Sequence, residues 1–348
     1  MTWSRAQLLR GFLAAALAAG VVSGGCIKGR ALASGGLKQF DSARELMGTL
    51  VTITIWAPAQ EIAREAGEAA FARIAEIESL MSRYRAGSEL SKINRRAYEE
   101  SVPISDDTLA VLGLALEHGR LSDGAFDVSM APLGKLWKSA AGSGRAPGAS
   151  AIEKARACVG YVNIALDEKK RTVRFLKPGM EIDLGGIAKG YAVDQALAEL
   201  RRRGITAALV NAGGDIATMG RPPEAKTWRV GIQKPNRRSG RLPEVVLLTT
   251  GAVATSGDHE RFVEIGGERY SHIIDPRTGM PVKSMSSVTV IAPDAATADI
   301  LATACSVLGP KRGVELTAQL ANVEVMYAIA AEDGPAVVKS QGFDKYVE

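Results

Sequence analysis

The sequence predicts an α+β protein with mostly antiparallel, mixed sheets and flanking helices. Helical and strand patterns are interspersed without a regular βαβ rhythm, two hairpins show, and no period in the repeat range is visible. The chain has 348 residues, enough for one large domain or two ordinary ones with a real core. The net charge is +5, and Arg5 and Arg10, in a segment set apart below, supply two of those charges. The remainder is too mild to argue for a nucleic-acid partner.

Residues 1–25 read as an export signal. Arg5 and Arg10 form a basic start, and residues 11–22 are an apolar run too short to span a bilayer comfortably. Two cleavage sites compete. Ser23-Gly24-Gly25-Cys26 has the form of a bacterial lipobox with Ser23 in place of the usual apolar residue. Ala31-Leu32-Ala33 suits an ordinary signal peptidase, with Lys28 and Arg30 awkward inside its leader. The lipoprotein reading, with lipidation at Cys26, is favoured, and either site puts the mature protein outside the cytoplasm. Cys158 and Cys305 are the other two cysteines. An oxidising compartment permits a bridge between them, but two buried free thiols is the preferred reading. There is no Cys/His cluster of zinc type, and His118, His259 and His272 are the full set of histidines.

In chain order, residues 26–39 are Gly/Ser/Lys-rich and read as a tether, with order beginning near Phe40. Residues 47–56 alternate as a strand, and residues 61–82 carry helical periodicity through Ile62, Ala66, Ile74 and Ile77. Ser88 is read as the N-cap of a further helix; Glu89 sits one position early for a capping box. Residues 104–119 form a helix capped by Ser105, and residues 124–133 a turn into a short apolar segment. The Gly/Ala/Ser-rich residues 138–150 read as a flexible surface loop. A helix over 151–158 and a strand over 172–176 follow. A strand over 181–184 then runs through Gly185-Gly186 into a helix from Ala188 to Arg203. The rest is β-rich: strands at 207–211, 228–233, 245–248, 253–256, 261–265, 269–274 and 287–292. Asp294 caps a helix to about Leu308, another covers 311–320, and strands at 323–330 and 335–340 close the chain.

Three stretches can carry chemistry. The strand–Gly-Gly–helix turn at 181–190 lets backbone approach a ligand and points free N–H groups and the helix dipole at it, which suits phosphate. Asp183 at the strand end and Lys189 in the first helical turn are its polar groups. It is neither a Walker A loop nor a dinucleotide Gly-x-Gly-x-x-Gly turn, and many such turns are only packing devices. Asp299 and Thr303 lie one helical turn apart on one face, offering hard oxygen ligands of the kind Mg2+ takes. From spacing alone the preferred reading is a threonine bonded back to its own helix beside a solvated aspartate. His272, before an Asp275-Pro276 turn, titrates near neutrality and suits a general base, or is simply a polar strand residue. Tyr84 and Phe126 are aromatic candidates for stacking a planar ring, with Met47 as an adaptable apolar wall. His259 reads as a surface residue.

Taken together and in order, these stretches resemble a known family. The set comprises Met-Gly-Thr at 47–49, Met-Ser-x-Tyr-Arg at 81–85, Ser-Glu-Leu-Ser-x-Ile-Asn at 88–94 and Gly-Ala-Phe-Asp-Val at 124–128. It continues with Asp-Leu-Gly-Gly-Ile-Ala-Lys-Gly at 183–190, Asn-x-Gly-Gly-Asp at 211–215, Ser-His-Ile-Ile-Asp-Pro-x-Thr-Gly at 271–279 and Ala-Asp-x-Leu-Ala-Thr-Ala at 298–304. This series resembles the ApbE family of FAD:protein FMN transferases, and it runs from about Met47 to the C-terminus.

The resemblance implies an ApbE-like, T-fold-like domain over residues 40–348, whole or in two subdomains, after a signal (1–25) and a tether (26–39). It implies a Mg2+-dependent reaction in which a Thr or Ser hydroxyl of a target protein attacks the riboflavin-side phosphate of FAD. FMN becomes bound through a phosphoester and AMP leaves. Met47, Tyr84, Ala125, Phe126 and Asp127 would then line the isoalloxazine pocket. Asp183, Lys189 and backbone near Ile274 would contact FAD. Asp299, Thr303 and the Gly186 carbonyl would hold Mg2+, and His272 would be the general base. In some relatives an acidic residue stands in place of Lys189. The implied acceptors are periplasm-facing flavoprotein subunits of Na+-pumping NADH:quinone oxidoreductase or Rnf type, and the implied location is the periplasmic side of the bacterial inner membrane. Two rivals stay open: a Mg2+-dependent FAD pyrophosphatase with the same site, and a lipid-tethered FAD-binding protein without turnover.

Overall fold

The computed structural model describes residues 36–232, 244–257, 262–282, 287–329 and 336–348. The export signal, Cys26, the alternative cleavage site and His259 lie outside them. Among the described residues, no helix is long and apolar enough to cross a membrane.

The chain begins with a hairpin of β1 (Lys38–Leu46) and β2 (Thr49–Ala57). Met47 and Gly48 form its two-residue turn with φ of 53° and 71°, the left-handed pair that matches strand twist. Strand order therefore starts inside the stretch read as a tether, and Met47 stands at a turn rather than in a strand. Helices α1 (Gln60–Met81) and α2 (Glu89–Arg96) follow. Ser88 caps α2, its hydroxyl accepting from the Ser91 N–H at 3.0 Å. Glu89 reaches the Ser105 N–H at 2.8 Å, tying α2 to the start of α3 (Asp106–Leu121), which Ser105 caps. A two-residue β3 (Val102–Pro103) precedes α3.

Helix α4 (Ala131–Ser143) and helix α5 (Ala149–Ala157) occupy most of the stretch expected to be a loop. The reason is tertiary: Leu133, Trp137 and Ala140 bury one face of α4 in a small cluster with Ile265 and Ile274, and Gly144, at φ 68°, ends it. Strands β4 (Ile164–Asp167) and β5 (Thr172–Phe175) complete a three-stranded sheet, β3-β5-β4. The expected strand at 181–184 reduces to a single parallel bridge, Met130 to Glu181. The Asn94 side chain takes the place of a strand partner, donating to the Ile182 carbonyl at 2.9 Å and accepting from its N–H at 2.8 Å.

Helix α6 (Ala188–Arg202) leads into β6 (Ala207–Ala212), β7 (Asp215–Met219), β8 (Trp228–Ile232), β9 (Glu244–Leu248) and β10 (Gly251–Gly257). A hairpin of β11 (Phe262–Ile265) and β12 (Glu268–Ser271) follows, then β13 (Ser287–Ala292) and α7 (Ala295–Thr317). The helix starts where expected, with Asp294 accepting from the Thr297 N–H at 2.8 Å. The two expected helices are its halves, broken at Gly309 (φ 76°) and Pro310. Strands β14 (Glu324–Ile329) and β15 (Ala336–Lys339) end the chain.

Eight strands form the main sheet in the order β1-β2-β6-β7-β10-β13-β14-β15, antiparallel at every pairing. Helices α1, α6 and α7 cover one face, and the β8–β9 ribbon packs on the other through Val230, Ile232, Val246 and Leu248. The alternating pattern in β2, with Val51, Ile53 and Ile55 buried, aims one face of the sheet at those helices. The largest core cluster is contiguous and takes in the three-stranded sheet through Val102, Val173 and Phe175. Cys305 is buried in it, and Cys158, only half-buried, is likewise a free thiol. Burial pushes the Cys305 thiol up to about 12.

Candidate active site

Helices α6 and α7 cross almost in contact. A Cβ added at Gly190 would lie 2.2 Å from the Ala295 carbonyl oxygen, so only glycine permits the approach. One turn further along α6, the Asp194 carboxylate accepts the N–H groups of Ala295 and Ala296, each at 2.8 Å, and fixes the crossing. The crossing brings three charges together. The Lys189 ammonium contacts the Asp215 carboxylate and lies 3.2 Å from Asp299 Oδ2, which also faces the Gly190 N–H at 3.4 Å. The two carboxylates keep only 5% and 6% of their side-chain surface exposed, so Lys189 is their main compensation. Burial disfavours the Lys189 cation, yet the charges of Asp215 and Asp299 outweigh it and raise its pKa. Burial, and then the like charge of Asp299, raise the Asp215 carboxyl above the usual carboxylate range, with Lys189 opposing.

Gly186 lies against the same spot. A Cβ there would sit 3.2 Å from Thr303 Oγ1 and 3.2 Å from the Phe126 ring. The fold thus gathers Gly186, Thr303, Asp299, Lys189 and Phe126 from distant parts of the chain. Asp215, given no role in the sequence reading, is the added member; its signal was the acidic residue closing the Asn211–Asp215 glycine turn. Among the described residues there is no group of three or more His, Cys, Asp or Glu side chains arranged to hold a metal ion. The Asp299 carboxylate and the Thr303 hydroxyl, with Gly186 alongside Thr303, are hard oxygen donors that suit a cation of the Mg2+ type. That a cation, Lys189, already neighbours Asp299 accords with that fit.

The glycine turn itself is tightly built. The Asp183 N–H donates to the Val128 carbonyl at 2.7 Å, and Asp183 Oδ1 accepts the Gly185 N–H at 2.9 Å. Ile187 stands at the N-cap of α6, so the cap residue itself offers no side-chain acceptor, and it is Asp299 that faces the first-turn N–H of Gly190. Arg83 binds the other oxygen of Asp183, donates to the Tyr84 hydroxyl at 2.8 Å, and stacks 4.9 Å from the Tyr84 ring centroid. Tyr84 is 75% exposed, an aromatic surface beside Arg83 and, at 5.9 Å, Lys138. Arg83, at the x of the Met-Ser-x-Tyr-Arg motif, is the second residue the sequence reading left without a role.

Other expected site residues are placed less directly. Ala125, Phe126 and Asp127 are buried. The Asp127 carboxylate accepts from the Ser129 N–H and hydroxyl and from the Tyr161 N–H, so it braces the chain rather than presenting a free acid. Burial raises its pKa. Met47 is partly buried against the main core at the β1–β2 turn, two residues from Thr49, which Gly213 of the Asp215 turn abuts. His272 is exposed just past β12, which ends at Ser271, three residues earlier than expected, where the Ser271 hydroxyl accepts the Ile273 N–H at 3.1 Å. Ile274 is buried against α4, where Trp137 Nε1 donates to the Gly279 carbonyl at 2.9 Å and anchors the following turn. Two clefts elsewhere, one between α1 and α6 and one beside Tyr191 and Asp294, contain none of these residues except Asp194 and Ala296 of the helix crossing.

Residues 47–327 match the ApbE family. The chain belongs to the ApbE family. A Haemophilus influenzae protein named FAD:protein FMN transferase is 34% identical over 284 residues, covering 78% of this chain and 81% of the relative. A Vibrio cholerae protein of the same name is 34% identical over 275 residues, covering 78% and 81%. Among solved structures, the ApbE protein of Thermotoga maritima superposes with a TM-score of 0.79 at 33% identity, covering 89% of this chain and all of its own. The flavin transferase ApbE from Vibrio cholerae gives 0.77 at 30% identity, covering 89% and 99%. The fold is therefore the ApbE-type α+β fold that the motifs implied.

Proposed function

We propose that this ApbE-family enzyme is an FAD:protein FMN transferase: it moves FMN from FAD to a Thr or Ser hydroxyl of an acceptor protein, with Mg2+, and releases AMP. The observation that carries the reading is the Lys189–Asp215–Asp299 cluster with Thr303 and Gly186, set at the N-terminus of α6. Helix N-termini and open glycine backbone favour phosphate, and the family's curated relatives bear the transferase name.

In the reaction the acceptor hydroxyl oxygen forms a bond to the flavin-side phosphorus, the bond from that phosphorus to the AMP oxygen breaks, and the hydroxyl proton passes to a base. Asp299, Thr303 and the Gly186 carbonyl would hold Mg2+, which would supply charge neutralisation for the phosphoryl transfer. The α6 N-terminus and the Gly185-Gly186 backbone receive the phosphates. Met47, Phe126 and Tyr84 border the flavin ring, with Ala125 and Asp127 shaping the segment behind it. Asp183 and backbone near Ile274 orient FAD, and His272 takes the proton.

Two measurements check these roles. Replacing His272 by Ala should slow transfer by about a hundredfold or more, the usual size of a lost general base, while FAD affinity stays unchanged; an unaltered single-turnover rate rejects the base. Tyr84→Ala should weaken FAD binding about tenfold by fluorescence titration, with no loss of thermal stability, because the ring is exposed. Unchanged affinity would mean that the ring does not meet flavin.

The whole reading is tested by incubating the protein with FAD, Mg2+ and a flavoprotein domain bearing an acceptor threonine, followed by intact mass and AMP assay. One added FMN residue with AMP supports transfer. Free FMN and AMP without added mass point to a pyrophosphatase, and bound FAD with no product points to a binding protein. We further propose that the acceptors are flavoprotein subunits of NADH:quinone oxidoreductase or Rnf type. The same proposal places the enzyme at the periplasmic side of the inner membrane through lipid on Cys26, on the strength of Arg5, Arg10, the apolar residues 11–22 and the lipobox-like Ser23–Cys26 run.

A further inference from the structure

The charge cluster contains more than the assigned cation ligands require. Asp299 with Thr303 and Gly186 accounts for a hard-cation site, but Asp215, on a different element, is buried beside it. Asp215 is held rigidly. It opens β7 opposite Ala212, the Asn211 side chain accepts the Gly214 N–H at 2.9 Å, and Gly213 abuts Thr49 so closely that a Cβ would be 2.4 Å from Oγ1. Lys189, by contrast, reaches the pair on a flexible four-carbon stem, which makes it the member able to move. It already sits closer to Asp215 than to Asp299.

We propose that Asp215 is a positioning residue that draws the Lys189 ammonium away from Asp299, so that the Asp299 carboxylate is released to a divalent cation for which Lys189 is the internal competitor. The inference rests on the placement of the cation at Asp299. A fixed second carboxylate gives the displaced ammonium a partner in the same dry site, so cation binding need not expel a charge into solvent or strand one unpaired. In a water-poor cluster, one charge added or removed within contact distance has a large effect on a neighbouring ion.

The test is Mn2+ binding to the whole protein without FAD, read by electron paramagnetic resonance of free Mn2+, alongside thermal unfolding. Asp215→Asn should weaken binding about tenfold, because Lys189 then pairs with Asp299 alone. Lys189→Met should tighten it about tenfold, because two facing carboxylates then lack their cation. The double variant should return close to wild type. A tightened Lys189→Met cannot come from a damaged fold, so the opposite signs carry the test. Equal affinities in all variants, or weakening in both single variants, overturn the inference. Absence of Mn2+ binding in the wild type, or wild-type binding unaffected by Asp299→Ala, overturns the cation site at Asp299 itself and the inference with it.

Discussion

Asp299→Ala is expected to reduce Mg2+-dependent FMN transfer about a thousandfold, on the order of 4 kcal/mol of transition-state stabilisation. Asp299 is the one carboxylate that shares a helical face with Thr303 and also meets the cluster, so no neighbour replaces it. The fold should survive. Lys189 keeps Asp215 as a full counter-charge, and the Asp194 bonds to Ala295 and Ala296 continue to fix the helix crossing. Single-turnover transfer followed by mass spectrometry, with circular dichroism as the fold control, checks both halves. A variant that transfers FMN at the wild-type rate removes the cation from Asp299. A variant that unfolds would show the cluster to be structural first.

The second large effect is on stability. Gly190→Ala puts a methyl group 2.2 Å from the Ala295 carbonyl oxygen, 2.6 Å from its carbon and 2.8 Å from the Ala296 nitrogen. These are backbone atoms at a helix start and cannot rotate aside. Overpacking of this kind should cost about 3 kcal/mol or more, and it should also loosen Lys189 and Asp299, which sit on the two helices being pushed apart. Gly113 on α3 is the control, since nothing lies within 4 Å of its added Cβ. Gly113→Ala should raise stability by about 0.5–1 kcal/mol through helix propensity and backbone entropy. Thermal and denaturant unfolding of the pair should therefore move in opposite directions. If Gly190→Ala unfolds at the wild-type midpoint, the helices do not cross as closely as described.

Much of the architecture was legible along the chain. Ser88, Ser105 and Asp294 cap the helices they were expected to cap, because an N-cap is a local hydrogen bond over three residues. The long periodic run of α1 and the alternation in β2 were equally readable. The misses share a different cause. The α4 stretch is rich in Gly, Ala and Ser and looks like a loop until Trp137 and Leu133 find Ile265 and Ile274, more than a hundred residues away. Residues 181–184 look like a strand, but Asn94 supplies the hydrogen bonds that a neighbouring strand would have made. The β1 strand is exposed along nearly its whole length, so it carries no hydrophobic pattern to betray it.

The candidate site divides the same way. Sequence alone determined the α+β class, the order of the motifs and the identity of the groups at the glycine turn, because residue type and short spacing set these. It also supplied the Asp299–Thr303 pair, since a helix places i and i+4 on one face whatever surrounds it. Only the tertiary structure decided that Lys189 is shared by Asp215 and Asp299, that Gly186 touches Thr303 and Phe126, and that Asp127 is spent on bracing Ser129 and Tyr161. The Lys189–Asp299 and Gly186–Thr303 relations depend on two helices meeting at Gly190, and on the low dielectric and close packing that their meeting creates. A charge separated from its partner by 110 positions in the chain comes within 3.2 Å of it only once the intervening core has folded.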